Sequence, residues 1–318
     1  MRPARSPFPT ALLMRPRNWP LAAVLASGWL LSRFPTSAMA GLARPLAFAL
    51  WRWPKFRRVT CENIAACLPH LTPSDREGLA RASTRHVAAA VLMAIKTWMS
   101  YRPGHPDFAA RFTGLSHFEA ARDSGRGIIL LNCHYNSTEL NGSFCAQLPR
   151  GGRRFTGIYR APSHAAADAL LHWARTAFVD RLLPARDVRG IARALKAGDI
   201  VWFATDLEVG GRGAVFAEFF GIPASTTTSL ARIAAMTDAV VLPVRLRNDR
   251  SDGAPVLDVF PALDDFPTGD ALRDARAMNA VHEAMIAEDP APYWWCLERF
   301  RIRPAGAPPV YSRRQAAR

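Results

Sequence analysis

The amino-terminal part of this chain lacks acidic residues, because no aspartate or glutamate precedes Glu62. Lysine is scarce as well, since only Lys55, Lys96 and Lys196 occur, so arginine supplies nearly all of the positive charge. The whole chain has 41 lysines and arginines against 26 aspartates and glutamates, a formal net charge of +15. This excess favours an anionic partner: nucleic acid, an anionic membrane surface, an acidic protein or a phosphorylated substrate. A basic surface without a specific partner is the simpler alternative.

Cysteine and several well-known motifs are also lacking. The five cysteines are odd in number and mostly within apolar segments, which argues against a disulfide framework. No zinc-ligand spacing, Gly-x-Ser-x-Gly elbow, P-loop, complete Gly-x-Gly-x-x-Gly or internal repeat occurs. We therefore expect reduced structural thiols and neither a metal nor a bound cofactor. The cysteines are Cys61, Cys67, Cys133, Cys145 and Cys296.

Long uninterrupted apolar runs are absent from the amino-terminal segment, although its composition is that of a membrane-facing segment. Residues 21–31 are apolar and uncharged but too few to span a bilayer unaided, and residues 38–51 are interrupted by Arg44 and Pro45. The segment could be a tilted anchor with snorkelling arginines or a pair of interfacial helices. It could also be a signal peptide, since Ala-Met-Ala at 38–40 imitates a cleavage site, but the long basic lead-in counts against that.

The rest of the chain is organised around residues 125–142, which read GRGIILLNCHYNSTELNG. The short apolar run IILL after two glycines predicts a strand that is buried on both faces. His134 then lies just past the carboxyl end of that strand. Apolar residues recur four apart further on, which predicts a helix capped by Asn136 or Ser137 with Glu139 in its first turn.

His134 and Glu139 form a His-x4-Glu pattern. The two side chains can meet only if the chain bends between them, and a strand, a turn and a helix supply that bend. A carboxylate that accepts from one imidazole nitrogen leaves the other as a base for an attacking hydroxyl. The simpler alternative is a capping box of Asn136 and Glu139, with His134 merely lining a loop. Cys133 is expected to be a buried small residue, because adjacent residues at a strand end point to opposite faces.

Strands alternate with helices downstream of this stretch. A strand at 153–159 would end at Arg160, and a strand at 200–204 would deliver Asp206. This alternation predicts an α/β fold: a central, mostly parallel mixed sheet flanked by helices, preceded by a membrane-associated helical segment. Parallel strands end at one edge of a sheet, so Arg160 and Asp206 should share the edge of His134, where open α/β sheets keep their sites.

Several ordered motifs together resemble the lipid A late acyltransferases, the lauroyl/myristoyl transferase family that acts on the lipid A precursor at the bacterial inner membrane. The likeness covers about four fifths of the chain, residues 57–311. The motifs that carry it are RRVTCENIAACLP, GRGIILLNCHYNSTELNG, Tyr159-Arg160, ALKAGDIVWFATD, the series Gly210, Arg212, Val215-Phe216 and Phe219-Phe220-Gly221, and YWWCLERFRIRPAG.

The resemblance implies O-acyl transfer without a covalent enzyme intermediate. The catalytic pair of the family falls on His134 and Glu139, with His134 taking the proton of an acceptor hydroxyl and Glu139 stabilising the imidazolium. Backbone N–H groups at the helix start near Ser137, or the guanidinium of Arg160, are candidates to stabilise the oxyanion.

Four further residues are expected to support substrate binding. The family's arginine after the second strand matches Arg160, its aspartate matches Asp206, and its tail arginine matches Arg299. Arg212 and the amino-terminal arginines would meet phosphates and carboxylates of the acceptor.

The resemblance also implies an acyl-acyl-carrier-protein donor, with acyl-CoA as the other possible co-substrate, and an active site that faces the cytoplasm at the inner membrane. The expected division is a basic, apolar anchor or interfacial segment at 1–56, an acyltransferase domain at 57–311 and a basic tail at 312–318. The acceptor could be another glycolipid or an aminolipid, because some family motifs depart from the usual pattern here. Two alternatives come from other functional classes: a basic nucleic-acid binder and a secreted binding protein. Under the acyltransferase interpretation we expect no nucleic-acid partner.

Overall fold

The computed structural model describes residues 6–211 and 213–312. The α-helices among these residues are α1 (Thr10–Leu13), α2 (Trp19–Leu31), α3 (Thr36–Arg52), α4 (Pro54–Cys67), α5 (Pro73–Ser100), α6 (Leu115–Asp123), α7 (Thr138–Cys145), α8 (Ala165–Arg175), α9 (Val188–Lys196), α10 (Ser229–Thr237) and α11 (Ala271–Glu288). The strands are β1 (Arg111–Thr113), β2 (Ile128–Asn132), β3 (Phe155–Tyr159), β4 (Arg181–Pro184), β5 (Ile200–Ala204), β6 (Ala214–Phe219), β7 (Ile222–Thr227), β8 (Val240–Asn248) and β9 (Pro255–Val259).

Seven of these strands form one sheet in the order β1-β9-β8-β2-β5-β3-β4. The strands β8, β2, β5, β3 and β4 pair in parallel, whereas β9 pairs with β8 antiparallel and β1 follows β9. The expectation of a mostly parallel mixed sheet flanked by helices is confirmed. The sequence pattern did not predict the short strand β1, the reversed strand β9 or the separate antiparallel hairpin of β6 and β7.

The central strand β2 is buried on both faces, as its apolar run predicts. Ile128 and Leu130 belong to the core that includes Phe118 of α6 and Phe144 of α7. The alternate residues, such as Ile129, belong to the opposite core with apolar residues of α9, α10 and α11. Helices therefore cover both faces, which is why the strand needs no polar residue until it reaches the sheet edge.

Close packing of α7 on the sheet depends on Gly142. A Cβ atom added there would lie 2.8 Å from the ring of Trp202 and 2.9 Å from the ring of Phe178. A side chain would therefore push α7 away from β5, and with it the first turn of α7 that follows His134.

The amino-terminal segment forms separate helices rather than one long one. One face of α3 packs on α5 through Met39, Ala43 and Ala47 against Ala88 and Leu92. Within the described residues, no helix is both long enough and apolar enough to cross a bilayer. Most of the large apolar side chains that are exposed lie in this segment, with exposed fractions from 44% to 70%: Phe8, Met14, Trp19, Trp29, Leu30, Phe34, Phe48 and Trp53.

Candidate active site

The carboxyl ends of β2 and β5 bring two distant residues together. Asn132, the last residue of β2, is the register partner of Ala204, the last residue of β5. His134 and Asp206 each follow two residues later, so the pairing of the strands places them side by side at the edge. The prediction that parallel strands deliver both residues to one edge is confirmed.

Asp206 holds His134 through both of its carboxylate oxygens. Oδ1 lies 2.7 Å from Nδ1 of the imidazole, and Oδ2 accepts the backbone N–H of His134 at 2.8 Å. The side chain of Asp206 is fully buried, whereas that of His134 is 20% exposed. Because an ionised carboxylate can only accept, the proton of the neutral imidazole lies on Nδ1 and the lone pair of Nε2 is left for a substrate.

The electrostatics of the pair favour a charged carboxylate and a basic imidazole. Burial by itself would lower the pKa of His134, but the carboxylate of Asp206 more than offsets it and raises that pKa above its usual value. Burial by itself would raise the pKa of Asp206, but the interaction with His134 holds it below its usual range. His134 is therefore a stronger base than a free histidine.

Glu139 does not contact the imidazole, contrary to the expected His134–Glu139 hydrogen bond. Its buried carboxylate accepts from Arg175 at the end of α8, with Nη2 at 2.6 Å from Oε1 and Nε at 3.1 Å from the same oxygen. The guanidinium also lies over the ring of Trp202, 5.5 Å from its centroid. The physical reason is direction: from the first turn of α7, Glu139 points to α8, while the strand end carries His134 towards β5.

The Glu139–Arg175 pair is nevertheless close enough to act on His134 electrostatically. Arg175 lowers the pKa of the imidazole, and Glu139 raises it, although burial and Asp206 act more strongly. Two ion pairs thus lie at the sheet edge, and only one of them includes the imidazole.

Ser137 caps α7, and the capping box of Asn136 and Glu139 does not form. The Ser137 hydroxyl accepts from the backbone N–H of Leu140, and the Ser137 N–H donates to Oδ1 of Asn136 at 2.8 Å. Asn136 adopts the left-handed backbone with φ of 53°, which asparagine tolerates better than most residues. Since the N–H of Ser137 is already paired, only groups further into the helix start are open to an oxyanion.

Of the three arginines expected at the site, one lies at the sheet edge and one is buried in the fold. Arg160 directly follows β3 and is exposed, at the edge that carries His134. Arg299 is buried and donates to the Ser225 carbonyl at 2.6 Å and to the Thr226 hydroxyl at 2.8 Å. Its guanidinium therefore ties the carboxyl-terminal tail to β7 instead of facing a substrate. Arg212 lies outside the described residues.

The tail contributes a site residue that the sequence pattern did not identify. The backbone N–H of Trp294 donates to the carbonyl of His134 at 3.0 Å, and its indole N–H donates to the carbonyl of Asn136 at 2.8 Å. The rings of His134 and Trp294 lie with centroids 5.9 Å apart. The aromatic run before the end of the chain is visible in the sequence, but nothing local shows that it fastens the loop that carries His134.

Thiol chemistry is not supported at this edge. Cys133 is buried, and burial raises the pKa of its thiol well above the usual value, so it does not form a thiolate near neutral pH. Among residues 6–211 and 213–312, no three His, Cys, Asp or Glu side chains are grouped to hold a metal ion. The hydrogen-bonded pair of His134 and Asp206 suits proton transfer by a carboxylate-oriented histidine.

Comparison with known proteins decides the family. The model of the bacterial lipid A biosynthesis acyltransferases matches residues 7–302. The chain belongs to this family. It is 30% identical over 311 residues to the lipid A biosynthesis lauroyltransferase of Escherichia coli (strain K12). The match covers 96% of this chain and 98% of the relative.

Two further relatives carry related names. The acyltransferase described here is 26% identical over 308 residues to the lipid A biosynthesis palmitoleoyltransferase of Escherichia coli (strain K12), covering 94% of this chain and 96% of the relative. It is also 26% identical over 245 residues to a lipid A biosynthesis acyltransferase of Haemophilus influenzae, covering 77% and 75% respectively. The chain is thus an acyltransferase of lipid A biosynthesis.

Proposed function

We propose that this enzyme moves a fatty acyl chain from acyl-acyl-carrier protein to a hydroxyl of a lipid A precursor, with His134 as general base. The observation that carries the proposal is the hydrogen bond between His134 and buried Asp206. It fixes the proton on Nδ1 and leaves the lone pair of Nε2 unprotonated on a side chain that is 20% exposed. An acceptor hydroxyl needs such a base because its own pKa is far above neutral.

The proposed reaction has two proton transfers and no covalent enzyme intermediate. Nε2 takes the hydroxyl proton as the oxygen attacks the thioester carbonyl, and Asp206 stabilises the imidazolium that forms. When the tetrahedral intermediate collapses, the carbon–sulfur bond breaks and Nε2 returns the proton to the leaving thiolate. The products are the ester and the free thiol of the carrier, so His134 ends in its starting state.

Glu139 and Arg175 are proposed to set the charge of the site. Glu139 keeps its place as a catalytic-site residue, acting through space on His134 and by holding Arg175. Arg175 has donors beyond those that bond Glu139, and Arg160 lies at the same edge, so both guanidinium groups are candidates to stabilise the oxyanion. Backbone N–H groups in the first turn of α7 are the third candidate.

Association with the inner membrane, with the active site towards the cytoplasm, is proposed for the amino-terminal helices. Support comes from the exposed aromatic and aliphatic side chains of this segment, which alternate with arginines and have no acidic neighbour before Glu62. Arg33 lies 4.4 Å from the ring centroid of Trp29, so charge and aromatic surface occur side by side. Such a surface fits an interfacial helix pair on anionic lipid, which is the arrangement that α2 and α3 would give.

The proposal is tested by acyl transfer from a defined acyl-carrier donor to purified lipid A precursor in mixed micelles, with products identified by mass spectrometry. General-base assistance is worth about 10² to 10⁴ in rate, so His134→Ala should lose at least a hundredfold. His164→Ala is the matched control, since His164 precedes α8 and is exposed. A His134→Ala enzyme that folds and keeps the parental rate would refute the mechanism. A product on another glycolipid or an aminolipid would change the acceptor but not the reaction.

A further inference from the structure

A line of basic side chains that the mechanism does not use runs along α9. The helix buries Ile191 and Leu195 against the sheet, in the core that α10 and α11 also cover. Its other side carries Arg189, Arg193 and Lys196, and all three are exposed. Residues spaced four and three positions apart lie on one side of a helix, so the three charges form a single row.

This row begins at the edge of the sheet that carries His134. α9 follows β4, which is parallel to β3, so the helix starts at that edge and runs towards the opposite one. Arg186, between β4 and α9, is exposed as well, and the N–H of Ala185 before it donates to the carbonyl of Tyr159 at 2.8 Å. β4 is the third strand from β2 in the sheet, a distance of about 14 Å. We call the following residues the α9 basic face: Arg186, Arg189, Arg193 and Lys196.

The fold does not neutralise the charge of the α9 basic face. Within residues 6–211 and 213–312, none of its four side chains forms a salt bridge or a hydrogen bond to a carboxylate. Exposed arginines elsewhere on the chain do form such pairs, as Arg81 does with Glu77. Asp187, the acid nearest in sequence, is already engaged, because its carboxylate accepts the N–H of Gly190 at 2.9 Å and caps α9.

Helix stability does not explain where these charges lie. Basic side chains stabilise the last turn of a helix, where Arg193 and Lys196 are, because the carboxyl end of the helix dipole is negative. Arg189 lies in the first turn, where the same dipole disfavours a positive charge. The α9 basic face therefore extends further towards the catalytic edge than the stability of the helix favours, as expected for a surface that binds an anionic partner.

The α9 basic face and the amino-terminal helices lie on opposite sides of the sheet. Leu25 of α2 packs with Leu170 of α8, and α3 packs on α5. α8 and α5 contact the core of Phe144 through Leu171 and Met93, on the sheet face that α9 does not cover. A bilayer in contact with the exposed side chains of α2 and α3 would therefore lie away from α9, which leaves the α9 basic face to a soluble acidic partner.

We propose that the α9 basic face docks the acidic surface of the carrier protein that presents the acyl thioester, with Arg189 and Arg193 at its centre. This inference rests on the proposed function, in which acyl-acyl-carrier protein is the donor. From this position the thioester reaches His134 across the ends of β3 and β5, which lie between β4 and β2. Complementary charges at exposed positions mainly speed the encounter of two proteins, and salt weakens their effect.

The double substitution Arg189→Gln/Arg193→Gln tests the docking surface. Glutamine keeps a long side chain and a high helix propensity, and no ion pair is lost, so the melting temperature should not change. We expect KM for the acyl-carrier donor to rise about three- to tenfold with kcat nearly unchanged, because each exposed charge pair contributes modestly and acts on encounter. The KM of this variant should also depend less on salt than that of the parental enzyme.

The control is Arg85→Gln/Arg102→Gln, which removes the same charge from two exposed arginines that have no ion pair among the described residues. Its KM should stay near the parental value. An unchanged KM in the α9 variant, or an equal rise in both variants, would overturn the proposal. An acyl-pantetheine donor offers the same thioester without the protein, so its KM should be alike in all three enzymes. A rise with that donor in the α9 variant would place these arginines at the reaction site and contradict docking.

Binding of fluorescently labelled holo-acyl-carrier protein to the enzyme in detergent gives a readout that needs no acyl transfer. We expect the α9 variant to bind about three- to tenfold more weakly and the control to bind as the parental enzyme does. If this difference appears while the parental enzyme transfers no acyl group, docking stands and the proposed function fails. If transfer proceeds while binding and KM ignore the α9 substitutions, the proposed function stands and docking fails. An α9 variant that binds the carrier normally but sediments less with phosphatidylglycerol vesicles would assign this face to lipid and overturn the proposal.

Discussion

The substitution Asp206→Asn discriminates most sharply between an oriented base and an incidental ion pair. The parental carboxylate accepts two donors at once, Nδ1–H at 2.7 Å and the backbone N–H of His134 at 2.8 Å. Asparagine has nearly the same shape but only one acceptor oxygen, so its NH₂ group must face one of these two donors. The substitution therefore changes the hydrogen-bond polarity and leaves the volume of the buried site unchanged.

Two consequences follow from that mismatch. If the amide oxygen stays with the backbone N–H, the NH₂ group drives His134 into the tautomer with its proton on Nε2, where it cannot accept a proton from substrate. The comparable change in a serine protease triad lowers kcat by about 10⁴, and we expect a loss of about 10³ to 10⁴ here. A mispaired buried donor costs about 1 to 3 kcal/mol, so the melting temperature should fall while the protein still folds.

The pH dependence of the Asp206→Asn enzyme gives an independent test, because the direction in which its acidic limb moves is also predicted. The acidic limb of kcat/KM reports the pKa of His134, which Asp206 raises above 6.5 against the opposing effect of burial. Without the carboxylate that pKa must fall, so the remaining activity should show its acidic limb at lower pH.

The assay is single-turnover acyl transfer from a labelled donor across pH 5 to 9, with thermal unfolding measured in parallel. Asp238→Asn is the control, because Asp238 ends α10 on the surface and pairs there with Arg126. An Asp206→Asn enzyme with parental turnover and an unmoved acidic limb would refute the argument that the carboxylate sets the tautomer.

Three other predictions concern charge and surface. Glu139→Gln should move the acidic limb of kcat/KM to lower pH, because Glu139 raises the pKa of His134. It should also destabilise the fold by about 3 kcal/mol, because it leaves the guanidinium of Arg175 buried without its anion. An unchanged pH profile would contradict the first effect. Serine at Trp19, Trp29 and Phe48 should weaken sedimentation with anionic liposomes without lowering the melting temperature, since these side chains are already exposed. Raising salt should increase KM for the acyl-carrier donor with little effect on kcat, because screening weakens encounter more than chemistry, and a KM indifferent to salt would count against an acidic carrier.

The sheet edge could be predicted because its strands carry strong local patterns. The strand at 200–204 was placed correctly, and the apolar run before His134 ends one residue before β2 does. Parallel pairing then brings Asp206 to the edge without any knowledge of the tertiary structure. The three-residue strand β1 was not predicted because it is too short to show a periodicity. The reversed strand β9 was not predicted because it begins at a proline and its apolar run is interrupted by Asp258.

The partners within the site could not be predicted, because they depend on contacts between distant segments. The spacing of five residues predicts Glu139 as the partner of His134, whereas the hydrogen-bonded carboxylate comes 72 residues later. Arg299 was expected at the substrate because it matches the tail arginine of the family that the sequence resembles, but its terminal nitrogens donate to β7 and to Asn279 of α11. No local pattern distinguishes an arginine that folds inward from one that binds a ligand.

The two ion pairs at the edge explain why Glu139 can matter without touching the imidazole. With a neutral imidazole, the four groups His134, Asp206, Glu139 and Arg175 carry formal charges of 0, −1, −1 and +1, which sum to −1. Proton uptake by His134 brings that sum to zero, so the imidazolium forms in a site that it neutralises. If Glu139 were uncharged, the same step would take the sum from 0 to +1 in a largely buried place. Such a site resists protonation. Glu139 thus favours the protonated imidazole through net charge, while Asp206 determines which nitrogen receives the proton.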